Sequence, residues 1–126
     1  MEIKKWNKNL IAFDFDNEMV NATDIIKSFP EKRMNNFLRN QQTVDFINEL
    51  ESDTLISATV VKQGGLKQGT WMHRLLGYKF AAWLSPKFEL FVYKTFDNAI
   101  QNKLKSQQRQ LDYFWDKSDN SDIYKK

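Results

Sequence analysis

The chain has 126 residues, of which 41% are hydrophobic and 14% aromatic, enough apolar mass for one domain with a modest core. It has no cysteine, which excludes a disulfide framework and a thiolate zinc site. No apolar run approaches the roughly 18 residues that cross a bilayer, and residues 1–6 lack the apolar segment of a signal peptide. We therefore expect a cytoplasmic protein with no membrane partner.

The positive charges are concentrated in the middle of the chain, although the net charge is only +3. No acid occurs between Asp53 and Glu89, and residues 27–39 hold four cations against one acid, Glu31. The cations of the acid-free stretch are Lys62, Lys67, Arg74, Lys79 and Lys87. This distribution indicates a polyanion bound on one face of the protein.

The first third of the chain predicts a β-hairpin followed by a short helix. Residues 1–8 are polar and are expected to be mobile. Apolar residues alternate over residues 10–15, which predicts a strand that returns over residues 18–20 after a turn at 16–17. Asn21 is expected to cap a helix that has Asp24 in its first turn and ends at Pro30.

The second third predicts two more short helices. Residues 31–40 have Met34, Phe37 and Leu38 at helical spacing, which predicts that these three side chains face inward. A break is expected at residues 40–42, with Thr43 capping a third helix over residues 44–51.

A second hairpin with a long tip and two helices are predicted for the remainder. Strands at residues 55–61 and 70–72 flank the loop 63–69, which holds three of the four glycines. Helices are predicted over residues 74–84 and from Pro86 to about residue 104, with Ser85 as a cap. The order of elements favours an α+β fold with a winged helix-turn-helix arrangement.

The glycine-rich loop suggests a function of its own. Lys67 is flanked by amide side chains and no acid, and such a narrow tip suits the minor groove of DNA, where acceptors dominate. An ordinary hairpin turn is the alternative reading of the same residues.

Several sequence blocks resemble the KilA-N domains found in proteins of bacteriophages and large DNA viruses. Residues 20–27, VNATDIIK, resemble the helix start of that family, and residues 37–40, FLRN, with Thr43, resemble its middle block. Its second half resembles residues 64–71, GGLKQGTW, and residues 80–88, FAAWLSPKF. KilA-N domains are similar to the fungal APSES DNA-binding domain. The resemblance covers roughly residues 10–100, so we assign residues 1–104 to the domain and residues 105–126 to a polar C-terminal tail or linker.

The resemblance implies sequence-specific binding of double-stranded DNA by a phage or prophage regulatory protein, without a cofactor and without catalysis. It implies that residues of the wing and of the helical region at 33–42 face DNA. Including neighbouring cations, amides and wing glycines, the expected DNA-binding residues are Lys32, Arg33, Asn36, Arg39, Asn40, Gln42, Lys62, Gln63, Gly64, Gly65, Lys67, Gln68 and Arg74. His73, the single histidine, is expected to make at most a surface or indirect contact to a phosphate, and no metal site is expected.

Two rival functions remain open. Asp14, Asp16 and Glu18 could hold magnesium in a metal-dependent nuclease, although the polar face and turn of a hairpin explain them as well. The second rival is an antirepressor-like adaptor that binds a protein partner or a following domain through the tail. Its candidate contacts form an apolar group, Leu111, Tyr113, Phe114 and Trp115.

Overall fold

The computed structural model describes residues 1–117, which form an antiparallel sheet with helices. The strands are β1 (Glu2–Trp6), β2 (Asn9–Asp14), β3 (Met19–Asn21), β4 (Thr59–Lys62) and β5 (Gly69–His73). The helices are α1 (Ala22–Ile26), α2 (Met34–Arg39), α3 (Gln41–Thr54), α4 (Arg74–Leu84) and α5 (Pro86–Lys117). Met1–Tyr93 forms one compact unit and a second begins at Lys94. The predicted α+β class is confirmed.

The five strands lie in the order β1-β2-β3-β5-β4, and every neighbouring pair is antiparallel. Both predicted hairpins form, and β3 joins them because Val20 pairs with Phe13 on one side and Met72 on the other. The short strand β3 is buried along its whole length, so it lies at the centre of the sheet.

The expectation that residues 1–8 are mobile is wrong. They contain β1, which pairs with β2 from Glu2↔Phe13 to Trp6↔Asn9. Backbone hydrogen bonds do not require apolar side chains, and charged residues are common on an edge strand. The indole of Trp6 stacks on Phe29 at 5.5 Å between ring centroids, which anchors the end of β1.

The breaks between α1, α2 and α3 follow from local capping. Asn21 caps α1 as predicted, since its side chain accepts a hydrogen bond from the Asp24 amide. The predicted cap at Thr43 is wrong: Asn40 caps α3, and Thr43 is buried within the helix. Asn is a stronger cap than Thr, and its short amide reaches the Gln42 amide at 2.9 Å.

Three further boundaries differ from the expectation. The strand predicted from residue 55 begins only at Thr59, because Leu55 ends α3 in a left-handed conformation and the Glu51 carboxylate binds the Ala58 amide. Helix α2 begins at Met34 rather than residue 31, after a turn in which the Lys32 amide bonds to Phe29. Helix α5 continues past residue 104 to Lys117.

Helix α4 packs directly on the sheet. A Cβ atom at Gly77 would lie 2.9 Å from the Val20 Cγ1 atom, so glycine permits close approach of the helix to β3. On another face of α4, Phe80 and Trp83 lie 5.0 and 5.6 Å from the Phe37 ring of α2. The core therefore connects the central strand to α2 through α4. None of the helices described here combines the length and apolar composition that a membrane crossing requires.

Candidate nucleic-acid interface

The tip of the β4–β5 hairpin, residues 63–68, is exposed throughout. Gly64 and Gly65 both have φ of +75°, and no heavy atom lies within 4 Å of the position of a Cβ at either residue. The backbone conformation therefore requires glycine there, while the surrounding space does not. Leu66 follows them with 92% of its surface exposed, which places an apolar side chain at the apex beside Lys67.

The base of this hairpin is held by the start of α1. The Asn21 side chain donates a hydrogen bond to the Gln68 carbonyl at 3.0 Å, and the Thr23 hydroxyl accepts one from the Thr70 amide at 2.9 Å. Gly69 fits between them with φ of +132°, since a Cβ there would lie 2.8 Å from the Asn21 Oδ1 atom. The two sequence blocks VNAT and QGTW thus form a single structural clamp.

Trp71 completes the clamp from inside the core. Its ring is fully buried, and its indole nitrogen donates a hydrogen bond to the Lys67 carbonyl at 2.8 Å. The Lys62 ammonium lies 4.9 Å from the centre of the same ring. Trp71 is therefore a core residue that also fixes the backbone of the exposed loop.

A second group of the predicted residues surrounds α2 and the turn before α3. Five of its members are exposed: Arg33, Asn36, Arg39, Asn40 and Gln42. Lys32 is half-buried, with its ammonium 4.9 Å from the centre of the Trp83 ring. The Oδ1 atom of Asn40 is occupied by the Gln42 amide. Five exposed polar side chains therefore lie on α2 or beside it, where the packing of Phe37 fixes the backbone.

Arg74 differs from the other predicted contacts because it is engaged within the protein. Its Nε atom donates to Glu18 at 2.9 Å and its Nη1 atom to the Tyr78 hydroxyl at 3.3 Å. Burial opposes its positive charge, but the bonds to Tyr78 and Glu18 outweigh burial and raise the pKa of Arg74 above its ordinary value. A contact from Arg74 to a phosphate would compete with these partners.

His73 is a buried helix cap, which contradicts the surface contact of the expectation but does not test the indirect one. Its Nδ1 atom accepts a hydrogen bond from the Leu75 amide at 3.1 Å, so the imidazole is neutral in this position. Burial lowers the pKa of His73 below its ordinary value of 6.5, and the Glu18 carboxylate opposes part of that decrease.

Two of the three carboxylates considered for a nuclease have partners within the protein. Asp14 accepts two hydrogen bonds from Asn17, which outweigh its partial burial and lower its pKa, while Glu18 pairs with Arg74. Among residues 1–117, no group of three or more histidine or acidic side chains could hold a metal ion. The described residues therefore contain no carboxylate cluster of the kind that the nuclease hypothesis proposed.

Two roles near the hairpin were missed by sequence reasoning. Asn21 was predicted only as a cap, although it and Thr23 both bind the opposite block across 47 positions of sequence. Leu66 was not proposed for any role, because one leucine in a polar loop gives no periodic signal. The occurrence of VNAT and QGTW in one domain could have suggested that the two blocks are in contact.

Two comparisons with known proteins find a match in sequence. The sequence profile of the KilA-N domain matches residues 4–102. Protein kilA of Escherichia phage P1 is 38% identical over 60 residues, which cover 48% of this chain and 22% of that protein. No solved structure matches at a significant level. Because the profile match extends over far more than half of its residues, the chain belongs to the KilA-N domain family.

Proposed function

We propose that this chain binds double-stranded DNA sequence-specifically, with the β4–β5 hairpin as a wing and α2 with α3 as a helix-turn-helix. The observation that carries the proposal is the clamped, exposed tip: Lys67 and Gln68 project from a backbone fixed by Asn21, Thr23 and Trp71. A tip held in one conformation loses little entropy on binding, which favours recognition over a passive turn.

The affinity for DNA would come from the cations on the β4–β5 hairpin and around α2. Lys62 and Lys67 belong to the hairpin, while Lys32, Arg33 and Arg39 surround α2. No acid lies in the hairpin between these lysines, so nothing on it repels phosphate. Neutralised phosphates release condensed counterions, which makes this contribution independent of base sequence and strongly dependent on salt.

Base recognition by α2 would use its exposed side chains in the major groove. Arg33 and Arg39 can form bidentate hydrogen bonds to guanine, and Asn36 offers the donor and acceptor that adenine requires. Only Asn40 separates α2 from α3, so the proposed helix-turn-helix would consist of these two consecutive helices.

The wing would read or follow the minor groove. Gly64 and Gly65 remove side-chain bulk where the backbone approaches DNA, and Gln63 and Gln68 can donate to the acceptors of adenine and thymine. Leu66 provides an apolar group of the kind that minor-groove proteins place against base steps.

The biological setting follows from the relatives and not from the site. The family and the similarity to a phage protein support a regulatory role in a phage or prophage, in the cytoplasm of the host cell. We keep residues 1–104 as the DNA-binding domain and residues 105–126 as a tail or linker. The proposed binding requires neither a cofactor nor a catalytic residue.

The test is selection of bound DNA from a random duplex pool, followed by fluorescence anisotropy on the enriched sequence at two salt concentrations. We expect an enriched motif, and we expect Lys67→Ala with Gln68→Ala to weaken binding by about 1–3 kcal/mol. Lys5→Ala is the matched control, since Lys5 is exposed on β1 at the opposite edge of the sheet from β4.

Thermal unfolding of each variant separates binding from folding. The tip variants should unfold at the temperature of the parent chain, because neither side chain takes part in the clamp. Absence of DNA binding at low salt by the folded parent chain would overturn the proposal. Equal losses of DNA affinity in Lys5→Ala and Lys67→Ala would show that the wing does not contact DNA.

A further inference from the structure

The second unit of the chain, which begins at Lys94, presents an exposed stripe along α5. The stripe consists of Ile100, Leu104, Gln107, Leu111 and Phe114, separated by four, three, four and three positions. Its four apolar members expose between 40% and 62% of their surface. This alternation is typical of the narrow seam of a coiled coil, whereas a helix on a globular core has a broader apolar face.

The positions that flank the stripe carry almost no charge. In a parallel pair of identical helices, Lys103 would lie opposite Gln108, and Gln110 opposite Trp115 of the other copy. The charged side chains Lys105, Arg109 and Asp112 lie on the outer face, where Asp112 accepts a hydrogen bond from Gln108 at 2.9 Å. Because these flanking positions place no like charges opposite each other, an identical helix can pack against them. A charged partner would have no complementary charge to bind there.

Gln107 favours an identical partner for a second reason. It is the one polar member of the stripe, and burial of an amide is costly unless both its donor and its acceptor find partners. In a parallel, in-register pair, Gln107 faces Gln107 of the other copy, and each amide can donate to the other. Burial of this amide therefore favours the register in which the two Gln107 side chains meet.

The pattern also defines where the seam begins. The next position toward the N-terminus at this spacing is Asp97, which would place two carboxylates opposite each other. The stripe therefore starts at Ile100, and its 15 residues correspond to about 22 Å of helix. Two heptads are fewer than the three or four of a stable coiled coil, so pairing is expected to be weak and concentration-dependent.

We propose that residues 100–114 of α5 pair with the same segment of a second copy of this chain, as a parallel two-stranded coiled coil. This interface is independent of DNA binding and requires no residue of the wing or of α2. It assigns the exposed Leu111 and Phe114 to contact with an identical chain instead of a different protein.

The first experiment measures the mass of the full chain by sedimentation equilibrium over a range of concentrations. The parent chain should change from monomer to dimer as concentration rises. Leu104→Lys with Leu111→Lys should remain monomeric, while the control Asn102→Lys with Tyr113→Lys adds the same charge off the stripe and should still dimerise. Circular dichroism verifies that both variants retain the helix content of the parent.

The second experiment uses the absence of cysteine from the chain. Gln107→Cys introduces a lone thiol into the stripe, and mild oxidation should give a disulfide-linked dimer. Asn102→Cys introduces a lone thiol on the outer face and should cross-link much more slowly. The dependence of the fast reaction on Leu104 and Leu111 then verifies that the stripe brings the thiols together.

Three results would overturn the proposal. A parent chain that stays monomeric at the highest soluble concentration would show that the stripe does not bind a second copy of this chain. A dimer that persists in Leu104→Lys with Leu111→Lys would place the interface elsewhere. Equal cross-linking at positions 102 and 107 would exclude a parallel, in-register seam.

Discussion

His73 links the stability of the domain to pH through one buried side chain. Its neutral Nδ1 atom caps α4, and burial lowers the pKa of His73 in the folded chain below the 6.5 expected when unfolded. The unfolded chain therefore binds the proton more readily. Stability should be full above pH 6.5 and should fall as the pH decreases toward the folded pKa.

The His73→Asn variant isolates this effect. Asn is also a strong cap but does not titrate in this range, so helix α4 should keep its cap while the pH dependence below 6.5 is reduced. Urea unfolding at several pH values between 5 and 8 makes the measurement. An unchanged profile in the variant would assign the dependence to another group.

Glycine is required at Gly64 and at Gly69 of the wing for different physical reasons, which substitution by alanine can separate. Gly64 has a positive φ but open space, so Gly64→Ala should cost only the backbone strain of about 1–2 kcal/mol. Gly69 has φ of +132° and would also place a Cβ 2.8 Å from Asn21. Gly69→Ala should therefore destabilise the fold by about 3 kcal/mol or more, measured by urea unfolding. Equal costs at both positions would show that the clamp can relax.

At the scale of elements, the packing of α4 on β3 depends on Gly77. Alanine there would gain about 1 kcal/mol of helix propensity but would overlap the buried Val20, at a cost of about 1–3 kcal/mol. Gly77→Ala should be net destabilising, because the helix and strand are fixed on both sides. The double variant with Val20→Ala should lose less than the sum of the two single changes in a double-mutant cycle. Additive losses would mean that α4 shifts away from the sheet.

The helices and hairpins show which elements sequence can predict. Both hairpins, helix α4 and the Ser85 cap were predicted because apolar spacing and local side-chain bonds determine them; the Ser85 hydroxyl accepts from the Phe88 amide. Strand β1 was missed because it is polar and depends on backbone pairing with β2. The cap of α3 was misplaced because Asn40 and Thr43 both fit a capping pattern, and only the geometry distinguishes them.

The candidate site was predictable in composition but not in organisation. The cations and glycines of the loop were evident from the sequence, since an acid-free stretch and clustered glycines are local signals. The clamp between Asn21 and Gln68 was not, because it joins residues distant in sequence. The pairing of Arg74 with Glu18 was hidden for the same reason, and it distinguishes Arg74 from the exposed cations.

For the whole molecule, the distribution of charge predicts how the proposed DNA binding depends on salt. Arg74 is engaged with Glu18, but five cations on or near the β4–β5 hairpin and α2 are available for phosphate. These are Lys32, Arg33, Arg39, Lys62 and Lys67. Each neutralised phosphate contributes about −0.9 to the slope of log K against log salt. Anisotropy titrations should therefore give a slope of about −4 to −5 for the parent chain.

Single substitutions then measure how much each residue contributes to this salt dependence. Lys67→Ala should make the slope shallower by about 0.9, because one fewer counterion is released. Arg74→Ala should leave the slope unchanged and lower Tm, because the Arg74–Glu18 pair joins the start of α4 to the turn before β3. If Arg74→Ala reduces the slope as much as Lys67→Ala does, then Arg74 leaves Glu18 on binding, and the DNA surface includes the first turn of α4 as well as the wing.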